Sequence, residues 1–86
     1  MKRVTMFKLP GCPYCKQAED YLKTLMEKNP AYQAIEIERI DESARPDIAD
    51  QYDYWYVPAF YIGREKLHEG VPTLEKVEAV LKAALK

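Results

Sequence analysis

The feature that most restricts what this chain can fold into is the abrupt change of pattern at Pro10-Gly11. Upstream, residues 3 to 9 (RVTMFKL) form a short β-prone run, and the Pro-Gly pair is a strong breaker. Downstream, Ala18, Tyr21, Leu22, Leu25 and Met26 recur at spacings of three and four, which predicts a helix with one apolar face. That helix begins at Pro13, where the missing N–H costs nothing, and ends near Asn29-Pro30, with asparagine in a left-handed cap. A strand that passes to a helix across so few residues opens a βα unit, with the strand buried.

The remaining elements follow from similar signals. In QAIEIERI, residues 33 to 40, Ile35 and Ile37 alternate with Glu36 and Glu38, as expected of a strand at a sheet edge. Ser43 to Tyr54 reads as a second helix capped by Ser43, with Ile48, Ala49 and Tyr52 on one side. Val57 to Ile62 reads as a third strand, and Gly63-Arg64 as a type II′ turn into Glu65 to Glu69, which makes the last two strands antiparallel. Thr73 caps a final helix whose face carries Leu74, Val77, Leu81, Ala84 and Leu85. The order is β-α-β-α-β-β-α, an α/β chain with a four-stranded mixed sheet flanked by three helices.

At 86 residues the expectation is one domain spanning 1–86, with any active centre at its surface and a large partner favoured over a deep pocket. Thirteen basic and 14 acidic residues give a net charge of -1, so no cationic excess draws nucleic acid or anionic lipid. The amino terminus, MKRVTMFKLPGC, has its apolar run broken by Lys8 and reads as neither signal peptide nor membrane span. The expected setting is cytoplasmic, where thiols are kept reduced, and the expected state is a monomer.

Against that background stand the only two cysteines, in LPGCPYCK. A closed zinc site needs four ligands, and Cys12, Cys15 and the lone His68 supply three, so no metal is expected. A pair of inert, buried thiols is the second reading, opposed by the position of Cys12 at the strand–helix junction. The third is a reactive Cys-x-x-Cys pair beside a βαβ pattern, the signature of a thioredoxin-like redox motif. The partial positive charge of a helix amino terminus favours the anionic sulfur at Cys12, and Lys8 and Lys16 add charge nearby, although Lys16 also reads as an ordinary solvated side chain. Cys15, one turn deeper, reads as the thiol that resolves what Cys12 attacks.

The CPYC tetrad after the first strand, the Val57-Pro58 pair opening the third and Gly70 before the last helix together resemble a glutaredoxin, within the thioredoxin fold. The resemblance implies a dithiol thiol–disulfide oxidoreductase with Cys12 and Cys15 catalytic and no tightly bound cofactor. It implies a cis Pro58 facing the cysteines, with Val57 offering its backbone to the substrate cysteine. Lys8, Pro13, Tyr14, Tyr56, Val57, Pro58 and Gly70 are then the expected substrate-binding residues. The expected partners are disulfide-bearing proteins and a reductant, glutathione or thioredoxin reductase.

Three departures from the family pattern carry information. Tyr56 stands where a threonine is usual, and the YDYWY segment holds more aromatics than one small core buries, which puts Trp55 or Tyr56 at the border of the active centre. Lys8 stands four residues before Cys12, one further than the family's basic residue. In the segment Leu67-His68-Glu69-Gly70-Val71-Pro72-Thr73 the usual Gly-Gly and aspartate are missing, and an inward Glu69 would repel a glutathione carboxylate. That segment is closer to redoxins that serve ribonucleotide reductase and are reduced by thioredoxin reductase. Two non-enzymatic alternatives are a module bridging an iron–sulfur cluster through Cys12 and glutathione, and an adaptor whose disulfide gates partner binding.

Overall fold

Val4, Met6 and Phe7 are completely buried because β1 (Val4–Lys8) runs through the middle of the sheet. In the computed structural model, which describes residues 1–86, it is followed by α1 (Pro13–Lys28), a 3-10 turn (Pro30–Ala34), β2 (Ile37–Asp41), α2 (Pro46–Ala49), β3 (Ala59–Ile62), β4 (Glu65–Glu69) and α3 (Leu74–Leu85). The strand order is β2-β1-β3-β4. β2 lies parallel to β1 (Val4 opposite Ile37), while β3 is antiparallel to β1 (Met6 opposite Phe60) and to β4.

Alternation along the strands divides the interior in two. Val4, Met6 and Phe60 face α1 and α3, where Ala18, Leu22, Leu25, Val77, Val80, Leu81 and Ala84 close one core. Phe7, Ile40, Ala59 and Tyr61 face the opposite side, which α2 and the loop after it cover through Ala49, Tyr52 and Tyr54. The result is the expected mixed four-stranded sheet with three helices, of which only α2 lies on the second face. Gly63, at a φ of 60°, supplies the positive angle that the β3–β4 hairpin turn requires.

Three boundaries and one core assignment differ from the sequence reading. The second helix spans only Pro46–Ala49, not Ser43 to Tyr54. Ser43 caps nothing, since its N–H and hydroxyl both bond Asp41 Oδ1, and Tyr52 and Tyr54, two residues apart, both pack on Phe7, which an α-helix cannot arrange. The second strand starts at Ile37 because Asn29, extended at a φ of -131° and not left-handed, caps the 3-10 turn by accepting the Ala31 N–H. β3 starts at Ala59, since Pro58 has no N–H to give a ladder. On α3, Val80 is buried where Leu85 was expected, and Leu85 is exposed.

Candidate active site

The site forms where β1 gives way to α1. Cys12 is the N-cap of α1 and Pro13 its first helical residue, and the Cys15 N–H, one of the amides left unpaired at a helix start, donates to Cys12 Sγ at 3.2 Å. The sulfur thus occupies the capping position usually held by an oxygen, facing the positive end of a helix of 16 residues. Both cysteines are free thiols, Cys12 half-buried and Cys15 only 2% exposed. Burial first, then the hydrogen bond and charge of Cys12, push the Cys15 thiol up to about 12.

Across from Cys12 lies Val57, whose carbonyl oxygen is 4.0 Å from Cys12 Sγ. The Val57–Pro58 peptide is cis, as the resemblance implied. The Val57 N–H has no hydrogen-bond partner within the chain, so one free backbone donor lies beside the carbonyl that the Cys12 thiol contacts. Just beyond it, the Gly70 N–H donates to the Pro58 carbonyl at 3.0 Å. Gly70 adopts a φ of 87°, closed to most side chains, with the Tyr56 Cβ against it.

The expected binding residues fall into two groups. Tyr14, Tyr56, Val57 and Gly70 meet in one groove, with Glu69 and Val71 completing its wall. Pro13 and Pro58 are not among its lining residues; Pro13 is exposed and Pro58 is buried. Lys8 lies on the other side of the cysteines with Leu9, Gly11 and Glu19. Its ammonium reaches the site only as a field that lowers the Cys15 pKa, because Lys8 Nζ is committed to Glu19 Oε2 at 3.0 Å. Arg39 on β2 grips the same carboxylate through Nε and Nη2, at 2.7 and 2.8 Å, and holds the Glu19 pKa down. Lys16 is exposed, with a loose 3.5 Å pairing to Asp20.

The aromatic segment divides by direction. Tyr52 and Tyr54 turn inward onto Phe7 and Tyr61, whereas Trp55 and Tyr56 are 85% and 69% exposed. Tyr56 borders the groove and Trp55 stands outside its lining. Glu69 does not present a free charge to the groove. Its carboxylate pairs with Lys66 and accepts the Trp55 and Tyr56 N–H groups at 2.8 and 3.1 Å, and these bonds, that of Lys66 foremost, bring its pKa down to about 2. His68 bonds the Gly70 carbonyl at 3.2 Å, and no three His, Cys, Asp or Glu side chains gather as a metal site.

Sequence reasoning missed the Glu19–Arg39 support of Lys8 and the Glu69 clasp. The first joins residues 20 apart and left no local signal, while the second was visible only as an unexpected carboxylate. Comparison with known proteins bears on the family and the fold. Residues 4–67 match the family profile described as Glutaredoxin. A thioredoxin from Methanocaldococcus jannaschii is 31% identical over 81 residues, covering 93% of each chain. In fold, the chain is similar to mitochondrial thioredoxin 3 from Saccharomyces cerevisiae in its oxidized form (TM-score 0.72, 24% identity, 95% of this chain and 77% of that one). It is also similar to a thioredoxin variant from Halobacterium salinarum (TM-score 0.69, 18% identity, 98% and 74%).

Proposed function

Since the chain belongs to the glutaredoxin family, we propose that it is a dithiol thiol–disulfide oxidoreductase that reduces disulfides of proteins or of mixed protein–thiol adducts. The observation that carries this reading is the asymmetry of the two thiols, a half-buried Cys12 whose sulfur caps α1 and a buried Cys15 whose N–H it accepts.

The Cys12 thiolate attacks one sulfur of the substrate disulfide, forming a Cys12 mixed disulfide and releasing the other sulfur as a thiolate that takes up a proton. Cys15 then gives up its proton and attacks the Cys12 sulfur, expelling the second substrate thiolate. Two electrons have passed to the substrate, and Cys12–Cys15 is left as a disulfide. The timing follows from the electrostatics of Cys15. Its hydrogen bond and repulsion from Cys12 are part of what holds its proton, and both weaken once Cys12 is a neutral disulfide. The resolving thiol is activated by the event that requires it.

Val57 is the proposed docking edge, pairing its free N–H with an extended substrate segment in the groove lined by Tyr14, Tyr56 and Gly70, with Pro13 and Pro58 proposed as further substrate contacts. Lys8 acts on Cys15 through its field. The CPYC tetrad favours glutathione as reductant: one thiol attacks the Cys12–Cys15 disulfide, and a second releases oxidised glutathione. A second reading, reduction by thioredoxin reductase, is favoured by the segment before α3, where Glu69 is bound to the chain's own backbone and one glycine stands in place of two. The proposed setting is a monomer in a reducing compartment such as the cytoplasm, with no resident cofactor.

The test is NADPH oxidation with a model disulfide, driven by glutathione plus glutathione reductase or by thioredoxin reductase. Cys12→Ser is expected to abolish turnover with either and Cys15→Ser to accumulate mixed disulfides with protein substrates. A Cys12→Ser protein that still turns over removes the proposal.

A further inference from the structure

Residues 50–58 form neither helix nor strand, yet hydrogen bonds hold their backbone at successive points. Side chains of the β3–β4 hairpin supply them. Arg64 donates to the Gln51 carbonyl at 2.6 Å, and Tyr61 and Lys66 donate to the Asp53 carbonyl at 2.5 and 3.2 Å. The last contact differs in kind. The N–H groups of Trp55 and Tyr56, consecutive along the chain, converge on a single oxygen, Glu69 Oε2. Neighbouring amides in a strand point to opposite sides; two that converge make an anion-binding concavity, and here the chain fills it with its own carboxylate.

This clasp lies immediately before Val57. Downstream, the Gly70 N–H holds the Pro58 carbonyl, so Glu69 and Gly70 grip the segment on either side of the residue whose carbonyl stands 4.0 Å from Cys12 Sγ. We propose that Glu69 is a positioning residue that holds the Val57 backbone edge in register with Cys12, and so determines how well the protein engages disulfides carried on extended polypeptides. Lys66, paired with Oε1 on the same carboxylate, keeps Glu69 anionic and aimed at the loop. A small disulfide, with no backbone to pair with Val57, depends on this alignment far less. This inference rests on the docking role proposed for Val57.

The experiment compares wild type with Glu69→Ala and Glu69→Gln, using insulin as the polypeptide disulfide and cystamine as the small one. In Glu69→Ala, KM for insulin is expected to rise about tenfold while kcat falls less than about twofold, the signature of lost binding and not of lost chemistry. The same change should fall less heavily on cystamine. Amide hydrogen exchange at Trp55 and Tyr56 should accelerate, while alkylation of Cys12 keeps its wild-type rate. Glu69→Gln retains an acceptor oxygen and loses only the charge, so its KM should lie between those of wild type and Glu69→Ala. It also serves as the deciding variant if Glu69→Ala does not fold. Insulin KM unchanged in whichever folded variant is available, or equal losses with insulin and cystamine, overturns the proposal. Because both cysteines stay intact, such a failure is distinct from the Cys12→Ser result that tests the oxidoreductase reading.

Discussion

Reduced protein treated with iodoacetamide at pH 8 is expected to be modified at Cys12 and spared at Cys15. With its pKa pushed up to about 12, Cys15 at that pH has only about one part in ten thousand as thiolate, against roughly a quarter for an ordinary free thiol. That is a deficit of a little over three decades. A more basic thiolate is intrinsically more nucleophilic, and a Brønsted slope of about 0.45 recovers roughly one and a half of them. The remainder predicts a rate about 50-fold below that of an exposed thiol, and the 2% exposure of Cys15 slows the reagent further. Quenched time points mapped by peptide mass spectrometry measure both sites in one experiment. Once Cys12 is capped by a neutral group its hydrogen bond and repulsion are lost, so Cys15 should react faster in that second phase, yet remain slow because burial is the largest cause of its shift. Comparable rates at the two cysteines in folded protein, or a Cys12→Ser protein whose Cys15 reacts like an exposed thiol, would refute the argument that burial governs Cys15.

Three further outcomes follow from interactions outside the thiols. Glu19→Gln removes the counterion shared by Lys8 and Arg39 and should cost about 1 kcal/mol, allowing for partial exposure of all three side chains, as read by urea unfolding at neutral pH. The Glu19 pKa is lowered in the fold, so this contribution is present above its ordinary 4.5 and is lost as pH falls through the lower folded value; the gap between variant and wild type should close below pH 4.5. Tyr32→Phe breaks the 2.8 Å bond from a buried hydroxyl to Glu78, which ties the 3-10 turn to α3, and should lower stability by about 1–2 kcal/mol, a fall in Tm of roughly 5–15 °C by differential scanning calorimetry. Phe7→Ala leaves Tyr52, Tyr54 and Tyr61 without the ring they surround and should cost about 3–5 kcal/mol in the same unfolding assay.

Local chemistry made much of this molecule legible in advance. The Pro10-Gly11 break, the proline at the first turn of α1 and the glycine of the hairpin each fix the backbone within a few residues, and their elements formed where expected. So did the separation of Cys12 from Cys15, which one helical turn dictates. The segment from Ser43 to Pro58 was misread because its conformation is set from elsewhere in the chain. Phe7 draws two tyrosines off a helical path, and Arg64, Lys66 and Glu69 take up the backbone groups a helix or strand would have paired among themselves. Glu69 drew attention for its charge, but the backbone that would occupy that charge was not visible in the sequence.

The division of the aromatic segment bears on how such a protein can change partners. Tyr52 and Tyr54 are committed to the interior, and substituting them thins the cover over one face of the sheet. Trp55 and Tyr56 project outward from a backbone already held by Glu69, so their side chains can be exchanged with little loss of packing. Surface chemistry and stability are therefore separable traits within five consecutive residues. A lineage can exchange the two outer side chains while the inner pair and the thiols remain untouched.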